Sequence, residues 1–466
     1  DSSCCGGPEL RVVPAAVAIE GNQIVEVREW VDGKSPEATD DDAVIDLGDK
    51  VLAPAFINAH THLALGFLRG FDMRAVARGN MVEQFFFEVE RRVSPEDVRA
   101  FTRMGAYDCL LAGVGLVWEH YYSAAHVAEG LVDAGLAGVV APTLQDLAGP
   151  GKDAWEAQLE ATVAIDDSAR LRERGVVAAL GPHATDTVSE GLFLRALDVA
   201  ESRKLPLHAH LAQSIEEYRR AKERHGVTPT RWLERIGVLE RSPSSVFAHA
   251  LYVDRDDMGL LARSHSAAVF CPYSQLVFGF PAPAGEWTRA GVHWGLATDC
   301  ASNNDTMNVQ RELRFVAGQR TVGTTWSSAY ARFLAGDGAA SEDVWKTRSE
   351  LCARHEDDAA PEALLARVWS EPGRWHPRLR AGRIEAGALA NLVAYDLEHP
   401  AMWPAHGPLQ GLAMSDASSA IWAMWVAGRR VGEPGDFHRS ILRSPEFREA
   451  RQEARERLAR LDLVVT

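Results

Sequence analysis

Cysteine is scarce: the 466 residues hold six, scattered apart from the neighbours Cys4 and Cys5, too few for a disulfide framework. Cys4 and Cys5 read as unpaired thiols, and Cys109, Cys271, Cys300 and Cys352 as core or near-site residues. No apolar window approaches the length of a membrane span, and the first thirty residues lack the basic-then-apolar order of a secretion signal. A cytoplasmic protein with no membrane partner is expected. Basic residues are the minority charge, 49 Lys and Arg against 65 Asp and Glu, a formal net of -16. Phosphate backbones are bound by basic surfaces, so nucleic acid is not expected as a partner, and a small molecule is. No Gly-rich dinucleotide loop follows any candidate strand, which counts against an open doubly wound sheet.

Apolar residues make up 46% of the chain, and its length suffices for one large domain plus a smaller one. From about 51 to 320, short apolar runs alternate with helix-length amphipathic segments. Eight candidate strands end at His62, Tyr122, Gln145, Ala184, Leu211, Val253, Ser274 and Cys300. Eight βα units predict an α/β fold, a (β/α)8 TIM-type barrel with its site at the carboxyl ends of the strands. Short strands broken by turns fill residues 10 to 53, and a similar texture returns over Leu389–Asp396 and Ala420–Val431. These two pieces predict one small β-sandwich built from both termini. The expected division is 1–53 and 382–434 for the sandwich, 54–381 for the barrel, and 435–466 for a solvated surface helix rich in Arg and Glu. Residues 321 to 361, with an acidic patch at Glu356-Asp357-Asp358, read as the last barrel helix plus an extension.

The run Val51-Leu52-Ala53-Pro54-Ala55-Phe56-Ile57 reads as a buried parallel strand, and it leads into Asn58-Ala59-His60-Thr61-His62. Side chains two apart on a strand share a face, so His60 and His62 aim together past its carboxyl end. Two imidazoles on one face make half of a divalent-metal site. Other polar groups stand at strand ends: His183, His208, His210, His249 and Asp299. Neighbouring barrel strands let imidazole and carboxylate converge from different directions, as a metal ion requires. His225, His265, His355 and His376 fall on helices or loops and read as surface residues.

The ordered set His60-Thr61-His62, His208-Ala209-His210-Leu211-Ala212-Gln213, Phe247-Ala248-His249 and Ala297-Thr298-Asp299 through Asp305 resembles the amidohydrolase superfamily. More narrowly it is similar to the mononuclear-metal branch with the guanine and adenosine-type deaminases and the triazine hydrolases. Gly181-Pro182-His183-Ala184, Cys271-Pro272-Tyr273-Ser274 and Ile384 through Val393 extend the match. No lysine ends the fourth predicted strand, which disfavours the binuclear branch. The resemblance implies that His60, His62, His210 and Asp299 bind one divalent metal, zinc or iron. It implies Asp299 as proton carrier, His249 as the group that holds water or polarises the electrophile, and His183 as a residue facing substrate. His208 lies one layer deeper on the face of His210, where a hydrogen-bonded core role and contact with the site both remain open. A homodimer or higher homo-oligomer is common in the family.

Where the family pattern has an acidic glutamate, this chain has Gln213. An amide donates and accepts hydrogen bonds but carries no proton between groups at neutral pH. Glu216, Glu217 and the protonated Asp299 are the candidate replacements, and Gln213 keeps the task of orienting the ring. The loop after the first strand carries Phe67, Phe71, Met73, Met81, Phe85, Phe86 and Phe87, readable as a pocket roof, as core or as a subunit interface. Trp118, Glu119, His120 and Tyr121 alternate in direction, so about half face the axis. Phe85 and Trp118 are the substrate contacts expected from these two segments. The leading expectation is a metal-dependent hydrolytic deaminase of a nitrogen heterocycle. The alternatives are hydrolysis of a cyclic amide, an imine-type C–N bond or a ring halide, and a barrel that kept its fold for binding alone.

Overall fold

The computed structural model describes residues 10–30, 43–72, 80–325, 327–355, 359–404 and 406–461. Cys4, Cys5, Met73 and the patch Glu356-Asp357-Asp358 lie outside them. The strands are β1 (Ala15–Glu20), β2 (Gln23–Glu29), β3 (Val51–Pro54), β4 (Phe56–Thr61), β5 (Val114–Tyr121), β6 (Ala137–Leu144), β7 (Val176–Ala178) and β8 (Gly181–Pro182). They continue as β9 (Leu207–Leu211), β10 (Ser245–His249), β11 (Ser266–Phe270), β12 (His293–Leu296), β13 (Leu392–Tyr395), β14 (Ile421–Val426) and β15 (Arg429–Val431).

Two parallel sheets carry the middle of the chain. One runs β4-β5-β6-β7 with β8 also pairing β6, the other β12-β11-β10-β9. They touch at two isolated parallel bridges, Thr61 to Asp299 and Leu180 to Leu207. Every residue of β5 and β6 is buried, as expected of strands covered on both faces by helices. The fourth predicted strand divides into β7 and β8. Gly181 approaches β6 so closely that a Cβ there would sit 2.3 Å from the Pro142 carbonyl oxygen.

Helices return the chain between strands, and their starts are written locally. Helix Pro95–Leu111 opens on a capping box in which the Ser94 hydroxyl and Asp97 carboxylate exchange bonds with each other's backbone N–H, with Pro95 at the first position. Ser189 and Ser214 cap helices Glu190–Arg203 and Ile215–His225.

The run from Val51 to Ile57 is not one strand. It breaks at Ala55: β3 pairs antiparallel with β13, and β4 enters the parallel sheet beside β5. The turn is fixed by Ala55 N–H donating to Asn391 O at 2.9 Å. The terminal segments form a hairpin, β1 with β2, and a four-stranded antiparallel sheet, β15-β14-β13-β3. A separate small core of Ile24, Leu392, Ala394, Ala423 and Trp425 lies between them, with Val17, Ile19 and Val27 packed on it.

The tail is more attached than its charge pattern suggests. Helix Pro445–Arg460 buries Phe447 and Ala450, and ion pairs tie it to helix Pro95–Leu111, Arg457 to Asp97 at 3.1 Å and Glu453 to Arg103 at 2.9 Å. Among the described residues, no helix is long and apolar enough to cross a membrane.

Candidate active site

At the carboxyl ends of the parallel strands the structure gathers a dense cluster of imidazoles. His60 from β4 is fully buried and meets His62, His208, His210 and His249 edge to face, with ring centroids 4.7 to 5.4 Å apart. His210 and His249 stack at 5.5 Å. Asp299 reaches in from the loop after β12, its Oδ1 lying 3.6 Å from His62 Nε2 and 3.9 Å from His60 Nε2. A reciprocal pair locks that loop to β4: Asn58 Nδ2 donates to Thr298 Oγ1 at 2.7 Å, and Thr298 N–H donates to Asn58 Oδ1 at 3.0 Å. His249 and Asp299 both hold left-handed backbone angles, φ 73° and 63°, which non-glycine residues rarely adopt. Such outliers mark sites where surrounding structure enforces a side-chain direction.

The hydrogen bonds around the rings decide which nitrogen each offers. His62 Nδ1 donates to the His120 carbonyl, and His210 Nδ1 donates to the His183 carbonyl at 3.0 Å. A carbonyl only accepts, so both rings carry their proton on Nδ1 and turn an Nε2 lone pair inward. His60 Nδ1 faces His208 Nε2 at 2.9 Å, and its own Nε2 is buried without a hydrogen-bond partner. Burial, with the neighbouring imidazoles adding to it, holds the His60 and His210 pKa well below the usual histidine range. Burial lowers those of His62 and His249 too, against the pull of the Asp299 carboxylate. Neutral imidazoles with converging lone pairs are metal ligands, not ion-pair donors.

Two overlapping sets, His60 with His210 and His249, and His60 with His62 and Asp299, bring their ligand atoms within 4.8 Å of one another. The donor set of imidazole nitrogens and one carboxylate, together with the orphaned His60 Nε2, fits a divalent cation of the zinc type. Asp299 Oδ2 is held from behind by Ser274 Oγ at 2.8 Å and Asn303 Nδ2 at 3.3 Å.

The cluster opens into a cavity of about 450 Å³. His62, His183, His210, Gln213, His249 and Asp299 line it. His183 is oriented by Thr187 Oγ1 at 2.8 Å, and burial pushes its pKa down to about 3. Gln213 is fixed through its backbone, whose N–H donates to Glu217 Oε2 at 2.8 Å. Glu217 itself is buried, accepts from Thr185 Oγ1 at 2.6 Å and does not line the cavity.

Two expected contacts fall elsewhere. Trp118 is inward but one layer too deep: fully buried, it packs edge-on against His208 and Trp375 beneath the cavity. Two residues on, the same face presents His120 to the cavity, its Nδ1 held by Thr143 Oγ1 at 3.1 Å. Phe85 packs against the core while Phe86 and Phe87 line the cavity. Tyr121, one of the four alternating residues at the second strand's end, also lines it, as do Tyr122 and Glu90, which were not among the sequence expectations. His208 supports His60 from below and does not line the cavity, and burial sets its pKa to about 3.

Parallel strands feeding a histidine–aspartate cluster at one end define the class: a hydrolase built on the architecture of metal-dependent amide and amine hydrolases. The chain belongs to the amidohydrolase family, whose profile matches residues 51–332. It acts on carbon–nitrogen bonds. A 5-methylthioadenosine/S-adenosylhomocysteine deaminase from Natronomonas pharaonis is 28% identical over 463 residues, covering 98% of this chain and 96% of that protein. A 5'-deoxyadenosine deaminase from Methanothrix thermoacetophila is 30% identical over 305 residues, 65% of this chain and 69% of that protein. Among solved structures, an adenosine deaminase from Xanthomonas campestris with bound zinc superposes with a TM-score of 0.76 at 22% identity, covering 96% of this chain and 93% of that one. A zinc-complexed atrazine chlorohydrolase from Arthrobacter aurescens superposes at 0.73 and 21% identity, with 95% of each chain covered. These neighbours share the TIM-barrel fold.

Proposed function

We propose that this protein is a hydrolytic deaminase of 6-aminopurine nucleosides, with His60, His62, His210 and Asp299 holding one zinc ion. The single observation that carries this reading is the convergence of inward-facing, neutral imidazole nitrogens, one of them the orphaned His60 Nε2, on the Asp299 carboxylate at the floor of the cavity. The relatives named above supply the substrate class. In this reading the two parallel sheets close into a (β/α)8 barrel over 54–381, and segments 1–53 and 382–434 build the small sandwich. Residues 435–466 are the attached tail.

Bound there, a zinc ion supplies a Lewis acid that makes water nucleophilic near neutral pH. Asp299 takes the proton from the attacking water and returns it to the departing amine, with Ser274 and Asn303 holding its carboxylate in place. His249, stacked on His210 with its backbone held left-handed, points its ring at the carbon under attack and steadies charge on the oxygen added there. His183 and Gln213 orient the ring by hydrogen bonds, and Phe86 and Phe87 cover its face.

Gln213 favours a second reading, displacement of a halide from an activated ring, because a halide leaves without a proton. The test is product analysis with zinc-loaded protein on adenosine, 5'-methylthioadenosine, 5'-deoxyadenosine and a chlorotriazine. Ammonia from a nucleoside supports the first reading. Chloride from the triazine with no ammonia from any nucleoside replaces it with the second.

A further inference from the structure

The two bonds that hold Asp299 Oδ2 come from different elements, Ser274 in the first turn of helix Pro272–Val277 and Asn303 in the short helix Ala301–Asn304. Asn303 Nδ2 also reaches Ser274 Oγ at 3.4 Å, so the three side chains form one clamp. Pro272 opens its helix and has no N–H, and Cys271 before it makes no side-chain capping bond. The first backbone donor of that helix, the Tyr273 N–H, is answered from far along the chain by Glu312 Oε2 at 2.9 Å. Glu312 Oε1 accepts from Asn304 Nδ2, also at 2.9 Å, and the same Asn304 amide nitrogen donates to the Thr298 carbonyl at 3.0 Å. One carboxylate therefore holds the residue before Ser274 and the residue after Asn303, and through Asn304 it reaches the residue before Asp299. Glu312 itself stands fully buried in the first turn of helix Gln310–Thr325 and does not line the cavity. Burying a carboxylate is costly, and only a group that accepts on both sides answers two N–H donors at once. A glutamine there would turn its own NH2 against one of them.

We propose that Glu312 is a positioning residue for this reaction: it fixes Ser274 and Asn303 relative to each other and so holds the Asp299 carboxylate toward His60 and His62. The inference rests on the reading of Asp299 as metal ligand and proton carrier. Glu312 acts through the clamp and touches no cavity group, so its loss loosens Asp299 while the walls that bind the substrate stay in place. The effect falls on the metal and on turnover and spares substrate binding. Because Glu312 and Ser274 act on one carboxylate, removing both cannot cost what two independent losses would.

The experiment is a double-mutant cycle of Glu312→Gln and Ser274→Ala in the full chain. It reads kcat and KM for ammonia release from adenosine, zinc affinity by competition against a chelator, and thermal unfolding. Glu312→Gln is expected to move KM less than about threefold and to lower kcat and zinc affinity about 10- to 100-fold each, the usual effect of removing a support behind a ligand. The double variant is expected to lose at least about fivefold less, in both quantities, than the product of the two single losses. A packing role for Glu312 gives a lower unfolding temperature with kcat and zinc affinity within threefold of the parent, or losses that simply multiply with those of Ser274→Ala, and either result overturns the assignment. If Glu312→Gln does not fold, Glu312→Asp takes its place in the cycle: that shortened acid keeps the charge but not the reach, and kcat and zinc affinity within threefold of the parent overturn the assignment equally. A parent that releases no ammonia from any 6-aminopurine nucleoside refutes the deaminase reading alone. The zinc-affinity cycle then decides Glu312 by itself: losses that do not multiply uphold its role, and an unchanged affinity overturns it.

Discussion

Glu119 is the side chain whose removal tests how the metal cluster is held. It sits on β5 opposite Thr61 and points away from the cavity, accepting from the Leu63 N–H at 2.8 and 3.1 Å and from the Thr61 hydroxyl. These two donors flank His62. Burial lifts the Glu119 pKa to about 8 against the pull of Thr61 and the Leu63 N–H, so the carboxyl is largely protonated at pH 7. Glu119→Ala strands the Leu63 N–H in a dry interior and leaves the Thr61 hydroxyl the Trp118 carbonyl at 3.4 Å as its acceptor, and an unsatisfied buried donor costs about 1–3 kcal/mol, which is the expected loss. Glu119→Gln keeps an accepting oxygen at the same place and replaces a neutral acid by a neutral amide, so its cost is expected below about 1 kcal/mol. Because the strand end carrying His60 and His62 loosens in the alanine variant, zinc affinity is expected to fall about 10- to 100-fold, the usual effect of removing a support behind a ligand. Denaturant unfolding of the metal-free protein and competition against a chelator of known zinc affinity measure the two effects separately. If Glu119→Ala binds zinc as tightly as the parent, the carboxyl does not hold the ligand strand. If Glu119→Gln is as damaging as Glu119→Ala, the group is ionised and its charge is what matters.

Ser274→Ala removes the hydroxyl that fixes Asp299 Oδ2 at 2.8 Å. A hydrogen bond to a charged group contributes about 1.5–3 kcal/mol, so kcat is expected to fall about 10- to 100-fold with stability little changed, and steady-state kinetics with a melting curve checks it. Gly181→Ala places a Cβ 2.3 Å from the Pro142 carbonyl oxygen, a backbone atom that yields only by moving β8 and with it His183. A loss of about 1–3 kcal/mol in denaturant unfolding and a raised KM are expected, and an unchanged KM means His183 tolerates the shift. Chelation should abolish turnover and lower the melting temperature, and zinc at 1,000 times its Kd should return about 4 kcal/mol of stability. A melting temperature indifferent to zinc would leave the histidine cluster without its cation.

Strand periodicity made the ligand candidates legible. His60, His62, His210 and His249 each close a short apolar run, and alternation alone sends them to one end and one face. Depth along a strand is a different quantity, because it depends on register with the neighbours. Glu119 pairs with Thr61 and Val140, which leaves Trp118 a layer below the cavity and lifts His120 into it. Phe85 missed the cavity because the segment read as a loop is wound as a π-helix over Val82–Phe86, in which Phe85 packs on the core while Phe86 meets the cavity. The break at Ala55 was hidden for a third reason. Both halves of the run are apolar, and only the hydrogen bond to Asn391, far along the chain, separates the strand of the terminal sheet from the strand of the site.

The two kinds of cost concentrated at this site argue for the same occupant. Left-handed angles at His249 and Asp299 cost about 1–2 kcal/mol each for residues with a Cβ, and neither position uses glycine. Burying imidazoles with an unpartnered nitrogen, as at His60 Nε2, adds a desolvation cost that packing does not return. A purely structural core would remove both by substituting glycine for the turns and aliphatic side chains for the rings. Here the strain aims Asp299 at His60 and His62, the ring tautomers turn lone pairs inward, and Asn58 with Thr298 clamps the arrangement from both sheets. Only a ligand that accepts several lone pairs at once offsets all of these terms together, and a cation does so where water, with two acceptor and two donor positions, satisfies some of the nitrogens and leaves the rest. The cluster is therefore shaped for the metal, and the groups farther up the cavity wall, Gln213 first, are left to discriminate among the molecules brought to it.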